Sequence, residues 1–400
     1  MKDPQHTPTS PSLAGIRIAR ISSVPFFIAT QLKQQIALLG ELGAHVTVVS
    51  QGGPAFEVFE KMRGIHCEVI GIVRAISPYR DVLALLHLFL FFKKNRTQIA
   101  HSTTPKAGLL TAIAAYLAGV PVRLHTYTGQ PWVNLRGVKG WLARSSDILV
   151  GRLNTCCYAD SLSQREFLIE QKILSAERLF VIASGSLAGV DLQRFDSVRF
   201  SISERESMRI SLGIPASAPV LLFVGRITED KGVRELLRAF EILKAVFHEL
   251  HLILVGPLDH ESGMAGAIAK KEITQIKGVH SVGFSMTPET YMAIADVLCL
   301  PSYREGFGTV VIEAAAMGLP TVGSDIYGLT DAVLNEETGL LVPPKDGDAL
   351  AVAISRLLDD SVLRNKMGEA ARLRAHLLFD QQKINIQMAQ AYVSLLRQKN

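Results

Sequence analysis

Two cations five positions apart, Arg226 and Lys231, stand in the run Val224-Gly225-Arg226-Ile227-Thr228-Glu229-Asp230-Lys231-Gly232. An apolar segment, Pro219–Gly225, precedes the run and an amphipathic one, Val233–Phe247, follows it. That order predicts a loop at the carboxyl end of a buried strand, where open α/β sheets bind ligands. A guanidinium grips phosphate oxygens in pairs and an ammonium adds a point charge, so together they suit a pyrophosphate. Taken alone, the run reads equally well as a surface loop whose cations pair with Glu229 and Asp230.

A second run tips the balance. Cys299-Leu300-Pro301-Ser302 leaves another apolar segment, and Tyr303-Arg304-Glu305-Gly306-Phe307-Gly308-Thr309 opens a helix that carries Glu313. Gly306 and Gly308 allow close backbone approach, and the amides at the start of the helix form an anion site. Two carboxylates beside a phosphate site are poor phosphate ligands; they suit acceptors for the hydroxyls of a ribose and a sugar. The alternative makes Glu305 a loop cap and Glu313 a surface residue. Val310, Val311, Ile312 and Ala314–Ala316 leave few polar faces for an idle carboxylate.

The elements around these runs alternate. Ile16–Ser23, His45–Ser50 and Gln98–Thr103 read as strands, with helices at Thr30–Leu42, Val82–Phe92 and Ala107–Ala118 between them. The alternation pauses over the polar stretch Asp191–Ala218 and resumes at Pro219, with a helix expected at Met264–Lys271 among others. The predicted architecture is α/β, two Rossmann-like domains with parallel sheets facing across a cleft. Its divisions are a polar tail (1–14), a first domain (15–195), a linker (196–218), a second domain (219–375), and a C-terminal helix (376–400) that packs back on the first domain.

Bulk properties narrow the function. With 48% hydrophobic and 20% charged residues, 400 positions fill two cored domains. The four cysteines, two of them adjacent at Cys156 and Cys157, form neither a metal-ligand spacing nor a disulfide framework, which fits a reducing cytosol. No apolar stretch follows Lys2, so a signal peptide is not expected, and Val82–Phe92 falls short of the ~20 residues that span a bilayer. Two segments are basic: Ile72–Lys106, with Arg74, Arg80, Lys93, Lys94, Arg96 and Lys106 against Asp81, and Ser361–Asn400. They suit an anionic membrane surface, or else form solvated helix faces. No helix-turn-helix or aromatic-interleaved basic module appears, so nucleic acid is not an expected partner. Asp346-Gly347-Asp348 reads as a helix cap, and His248 and His251 lack the spacing of a helical zinc pair, so no metal is expected.

VGRITEDKG, then EGFGTVVIE, then GSDIYGLTDAV, in that order, resemble the retaining glycosyltransferase family 4 of the GT-B fold. His101–Gly129 and Ser184–Phe195 resemble its branch acting in polysaccharide and lipid-linked glycan assembly, so the resemblance spans nearly the whole chain. It implies that Arg226 and Lys231 bind the donor pyrophosphate, that Glu313 holds the ribose, and that Glu305 faces the transferred sugar. It also implies that the Phe307 and Gly308 amides meet the distal phosphate, with Gly225, Gly306 and Thr309 lining the donor. His125 matches a histidine near the donor sugar, and Lys106 is a candidate for an acceptor phosphate; His101 is read as structural. The family's glycine-rich loop after strand one is here Ser22-Ser23-Val24-Pro25-Phe26-Phe27, without glycine, so Phe26 and Phe27 present an apolar acceptor-side surface instead. The expected activity is metal-free, cofactor-free transfer from a uridine-diphosphate-linked sugar to a lipid-linked or polysaccharide acceptor, on the cytoplasmic face of the membrane. A sugar-nucleotide epimerase and a non-catalytic sugar-nucleotide-binding subunit are the alternatives.

Overall fold

Proline opens three helices of the first half and so fixes where its strands must end. The computed structural model describes residues 12–73, 75–258, 273 and 275–398. The tail expected at 1–14 up to residue 11, the helix expected at Met264–Lys271, Arg74 and Lys399 lie outside the described residues. The chain forms two compact units: Met1–Asp160 with Arg165–Ala183 and Gln382–Asn400, and Ser161–Gln164 with Ser184–Gln381.

The first unit is a seven-stranded parallel sheet. Its strands are β1 (Arg17–Ser22), β2 (His45–Ser50), β3 (Ile65–Val69), β4 (Ile99–Thr103), β5 (Val122–Tyr127), β6 (Cys156–Ala159) and β7 (Leu179–Val181), in the order β3-β2-β1-β4-β5-β6-β7. The order reverses between β1 and β4, so the loops after those strands diverge and leave a crevice. Helices α1 (Pro25–Gln31), α2 (Pro78–Asn95) and α3 (Pro105–Ala118) each begin with proline, whose missing N–H has no intrahelical partner at that position. A fourth, α4 (Gly137–Leu153), follows β5. Ala84, Leu88, Phe91 and Phe92 of α2 pack on Ala19, Ile21, Val49 and Leu110.

The C-terminal helix, Gln381–Arg397, enters the first unit from Gln382. Fully buried Tyr392 accepts a hydrogen bond from Arg20 Nη1 at 2.9 Å and lies 2.6 Å from His101 Nδ1. Asn385 Oδ1 accepts from Gln35 at 3.3 Å.

The second unit repeats the pattern. Strands β8 (Val220–Val224), β9 (His251–Val255), β10 (Val279–Gly283), β11 (Val297–Leu300), β12 (Thr321–Ser324) and β13 (Gly339–Val342) form a parallel sheet in the order β10-β9-β8-β11-β12-β13. Its helices include α5 (Ile202–Ser211), α6 (Val233–Lys244), α7 (Thr309–Ala316), α8 (Gly347–Asp359) and α9 (Ser361–Leu378). Asp346 caps α8 by accepting from the amides of Asp348 and Ala349, the role read from the sequence.

The linker expected at 196–218 is part of this second unit, which already begins at Ser184. Val190 exchanges backbone hydrogen bonds with Phe379 and Gln381, and Phe195 joins the core. Residues 202–211 form α5, held by a capping box between Ser201 and Glu204.

Candidate active site

The loop after β8 and the loop after β11 are locked together. Lys231 Nζ donates to Glu305 Oε1 at 2.5 Å, and the Ser302 hydroxyl donates to the same oxygen at 2.8 Å. The Tyr303 amide donates to the Asp230 carbonyl at 2.9 Å. Gly232 makes the approach feasible: its φ is +68°, and a Cβ there would lie 1.9 Å from the Pro301 carbonyl oxygen. Gly328, at φ +86°, packs against the backbone of Glu305 and Gly306 in the same way, bringing the GSDIYGLTDAV segment to the site.

Asp230 sits beneath two arginines. Arg226 and Arg304 each approach Asp230 Oδ2 to 3.7 Å, and the Thr228 hydroxyl donates to Oδ1 at 2.5 Å. Burial pushes the Asp230 carboxyl up, but the Thr228 hydroxyl and the charges of Arg226, Lys231 and Arg304 outweigh it and hold the group below its ordinary value. It therefore stays ionised and orients the arginines. Arg226, Lys231 and Arg304 are thus gathered with Asp230 and Glu305 in one corner.

Thr309 begins α7, with Gly308 at φ +85° before it, so the first amides of the helix lack intrahelical acceptors. Phe307 contributes backbone only: its ring is 1% exposed and packs edge-on against Phe379, centroids 5.2 Å apart. Glu313, one turn into α7, is pushed up to about 7 by desolvation; Arg194 pulls it down and Glu289 pushes it up. Arg194 grips Glu289 with both ends of its guanidinium, at 3.0 and 2.7 Å. Arg194, Glu289 and Arg304 have no assigned role in the sequence reading, and Asp230 enters it only as a partner for the loop's cations, a pairing seen here with Arg226. Arg194 did lie in a quoted motif, but its partner stands ninety-five positions away.

The first unit holds the remaining candidates. His125 on β5 is 2% exposed, its Nδ1 2.9 Å from the Ser102 hydroxyl and its ring edge-on to Tyr127 at 4.7 Å. Burial lowers its pKa to about 3, so the imidazole is neutral at any working pH. His101 lies between Tyr392 and Thr126, likewise lowered by burial, in the structural place expected of it. Lys106 is not a free acceptor cation: it pairs with Asp81 at 2.6 Å and donates to the Ala75 carbonyl, tying α3 to the start of α2. Phe26 is exposed and Phe27 partly so, on α1. The loop before them is pinned where the Ser23 hydroxyl meets Thr104 at 2.9 Å.

Among the described residues no group of three or more His, Cys, Asp or Glu side chains is placed to hold a metal ion.

Residues 204–374 match the family described as glycosyl transferases group 1, and residues 28–185 match the glycosyl transferase 4-like domain. The chain belongs to this glycosyltransferase family, with the two Rossmann-like halves of the GT-B fold. The capsular polysaccharide biosynthesis glycosyltransferase CapM of Staphylococcus aureus is 28% identical over 370 residues, covering 92% of this chain and 94% of that one. The UDP-Gal:alpha-D-GlcNAc-diphosphoundecaprenol alpha-1,3-galactosyltransferase of Escherichia coli is 26% identical, covering 87% and 89%. Among solved structures, HepE from Anabaena in complex with UDP and glucose superposes with a TM-score of 0.75 at 20% identity, over 95% of this chain and all of that one. Sucrose-phosphate synthase from Thermosynechococcus elongatus gives 0.76 at 24%, over 96% and 100%.

Proposed function

We propose that this glycosyltransferase moves a sugar, with retention of anomeric configuration, from a uridine diphosphate sugar to a lipid-linked or polysaccharide acceptor carried at an anionic membrane surface. The observation that carries the donor half is the junction of the two loops, Lys231 on Glu305 and Gly232 against Pro301. It sets two cations and the start of α7 in one corner. The galactosyltransferase and CapM, both similar over most of their length, are named for lipid-linked and capsular products, which supports the acceptor class.

Cleavage of the sugar–phosphate bond builds negative charge on the departing diphosphate. Arg226, Lys231 and the Phe307–Gly308–Thr309 amides offset that charge without a metal ion or cofactor. Glu305 faces the sugar hydroxyls while its other task, holding Lys231, fixes its rotamer. Glu313 accepts from the ribose hydroxyls. His125, being neutral, is available as a hydrogen-bonding group and not as a cation. The leaving phosphate takes the acceptor proton, so the two glutamates are not a glycosidase-type acid–base pair.

The test is transfer from a panel of radiolabelled nucleotide sugars to membrane lipid extract, with a chelator present. Label moving into the lipid fraction, most efficiently from one uridine diphosphate sugar, is the expected result. Conversion of the donor to its epimer without acceptor, or donor binding without turnover, would replace this reading with one of the two alternatives. Loss of activity restored by a divalent ion alone would overturn the metal-free part.

Glu313 gives the activity a pH signature. Its folded pKa of about 7 is raised above the ordinary carboxyl value, so the folded protein binds this proton more tightly than the unfolded chain. Without donor, this group makes stability fall as pH rises from about 4.5 to about 7. Donor binding runs the other way, because the ionised carboxylate is the better hydroxyl acceptor. Donor KM should fall as pH climbs through 7 and level off above it. A Glu313→Gln variant should show a flat KM profile in that range; an unchanged slope would remove Glu313 from the donor site.

A further inference from the structure

The helical layer α2–α3–α4 of the first unit is apolar on both sides. Its inward side covers the sheet, as it must. Outward, Tyr79, Leu83, Leu86 and Leu90 of α2 are exposed at spacings of four, three and four, which place them in one stripe along the helix. Val138, Trp141, Leu142 and Leu149 make a matching exposed stripe on α4. Between these helices, in contact with both, α3 ends in exposed Tyr116 and Leu117. Two helices thus present apolar rows to solvent, with two more apolar side chains from the helix between them, where a surface helix ordinarily carries charge.

The charges that are present are nearly all of one sign. Residues 75–153 hold ten Lys and Arg against two acids, and neither acid offsets the face. Asp81 is bridged to Lys106, and Asp147 is buried under the Trp132 N–H and pushed up to about 7. Exposed Arg80, Arg136 and Lys139 lie near the amino ends of α2 and α4, while Lys93, Lys94 and Arg152 lie near their carboxyl ends. At the carboxyl-end rim, Arg123, Arg152 and Arg178 line a cavity of about 340 Å3 with no carboxylate in its wall.

We propose that this face docks the protein on an anionic bilayer, the apolar rows entering the acyl boundary and the basic rims, with the arginine-lined cavity, taking lipid headgroup phosphates. The proposal rests on the membrane-acceptor reading above for its purpose and names the surface involved. Among the described residues no helix is long and apolar enough to cross a membrane, so the contact is interfacial. Charge complementarity selects the occupant: a second copy of the same face would set the exposed Arg80, Lys93, Lys94, Arg136, Lys139 and Arg152 against their own likes, whereas a phosphatidylglycerol surface neutralises them. The C-terminal helix meets this face at its end, where Leu395 and Gln398 line the same cavity, while three arginines of the C-terminal segment are taken up within the fold. Arg364 and Arg374 are spent on the carbonyls of Leu357, Asp331 and Ala332, and Arg372 on Glu369.

The two tryptophans supply the test, because Trp141 is 67% exposed on this face and Trp132 only 9% exposed beneath it. With vesicles of equal phosphatidylglycerol and phosphatidylcholine, the intact chain should float with the lipid. Its Trp emission should shift to the blue and be quenched by brominated acyl chains; phosphatidylcholine alone should do neither. Leu86→Glu/Leu90→Glu should abolish the bromine quenching. Arg152→Gln should weaken binding to the anionic vesicles about fivefold, roughly the effect of one cation at such a surface. The exposed positions chosen leave the melting temperature of each variant near that of the parent. Vesicle binding without quenching, binding undiminished in the Leu86/Leu90 variant, or a dimer that shields Trp141 and ignores vesicles would each overturn the proposal. No donor or acceptor enters this assay. Docking without sugar transfer would therefore count against the proposed function alone, and transfer to a soluble acceptor without docking against this face alone.

Discussion

Lys231→Ala lowers kcat/KM for the donor about 10²- to 10³-fold, the range for removing one preorganised group that meets developing charge. Two losses combine. The diphosphate loses a cation when its charge is growing, and Glu305 loses the partner that fixes it at 2.5 Å, keeping only the Ser302 hydroxyl. The decisive comparison is with Glu305→Gln, which keeps the shape and removes the charge. If Lys231 acts mainly on phosphate, the alanine variant also binds free uridine diphosphate more weakly, whereas Glu305→Gln binds it about as well as the parent and loses kcat. Steady-state kinetics and calorimetric titration with the nucleotide read both. Parent-like turnover in Lys231→Ala would remove the pyrophosphate role.

Gly232→Ala destabilises the second unit by about 3 kcal/mol, near the top of the ordinary range for one substitution, and abolishes turnover even below the new melting temperature. A left-handed alanine alone costs about 1–2 kcal/mol. The remainder comes from the 1.9 Å approach to the Pro301 carbonyl, which forces the loops after β8 and β11 apart. Gly213→Ala is the matched control: its φ is also +68°, but nothing lies within 4 Å of its added Cβ. Thermal denaturation should show a clearly smaller drop for Gly213→Ala, with activity retained. Equal drops would mean that backbone conformation alone matters at Gly232 and that the two loops do not depend on their close approach.

The corner where Lys231 meets Glu305 was legible because its parts are local. A strand end, two cations in one loop and a glycine-spaced turn into a helix are each written within nine residues or so, and their order along the chain carried the family resemblance. Alternating apolar runs did the same for the sheets. What the sequence hid depends on distant partners. The place of the Phe307 ring was not legible, because it packs on Phe379, seventy-two positions on. Lys106 looked free because the reading did not pair it with Asp81 across two helices. The polar stretch after Asp191 looked like a linker, since neither the strand-like contact of Val190 with Phe379 nor the capping of α5 shows as apolar periodicity. The basic C-terminal end is divided: Arg364 and Arg374 donate to backbone carbonyls, while Lys366, Lys383 and Arg397 are exposed.

Tyr392 partners the wholly buried Arg20 in the first unit, and the two are 372 positions apart in sequence. During synthesis the first sheet therefore waits, for most of translation, for the hydroxyl that accepts from Arg20 Nη1. The second unit, whose own strands and helices are contiguous from Ser184, has no such wait. The half made first is thus the half completed last, and termination between residues 382 and 391 would deprive the amino-terminal sheet of its Tyr392 partner while leaving every strand of the second unit, the last of which ends at Val342, in the chain.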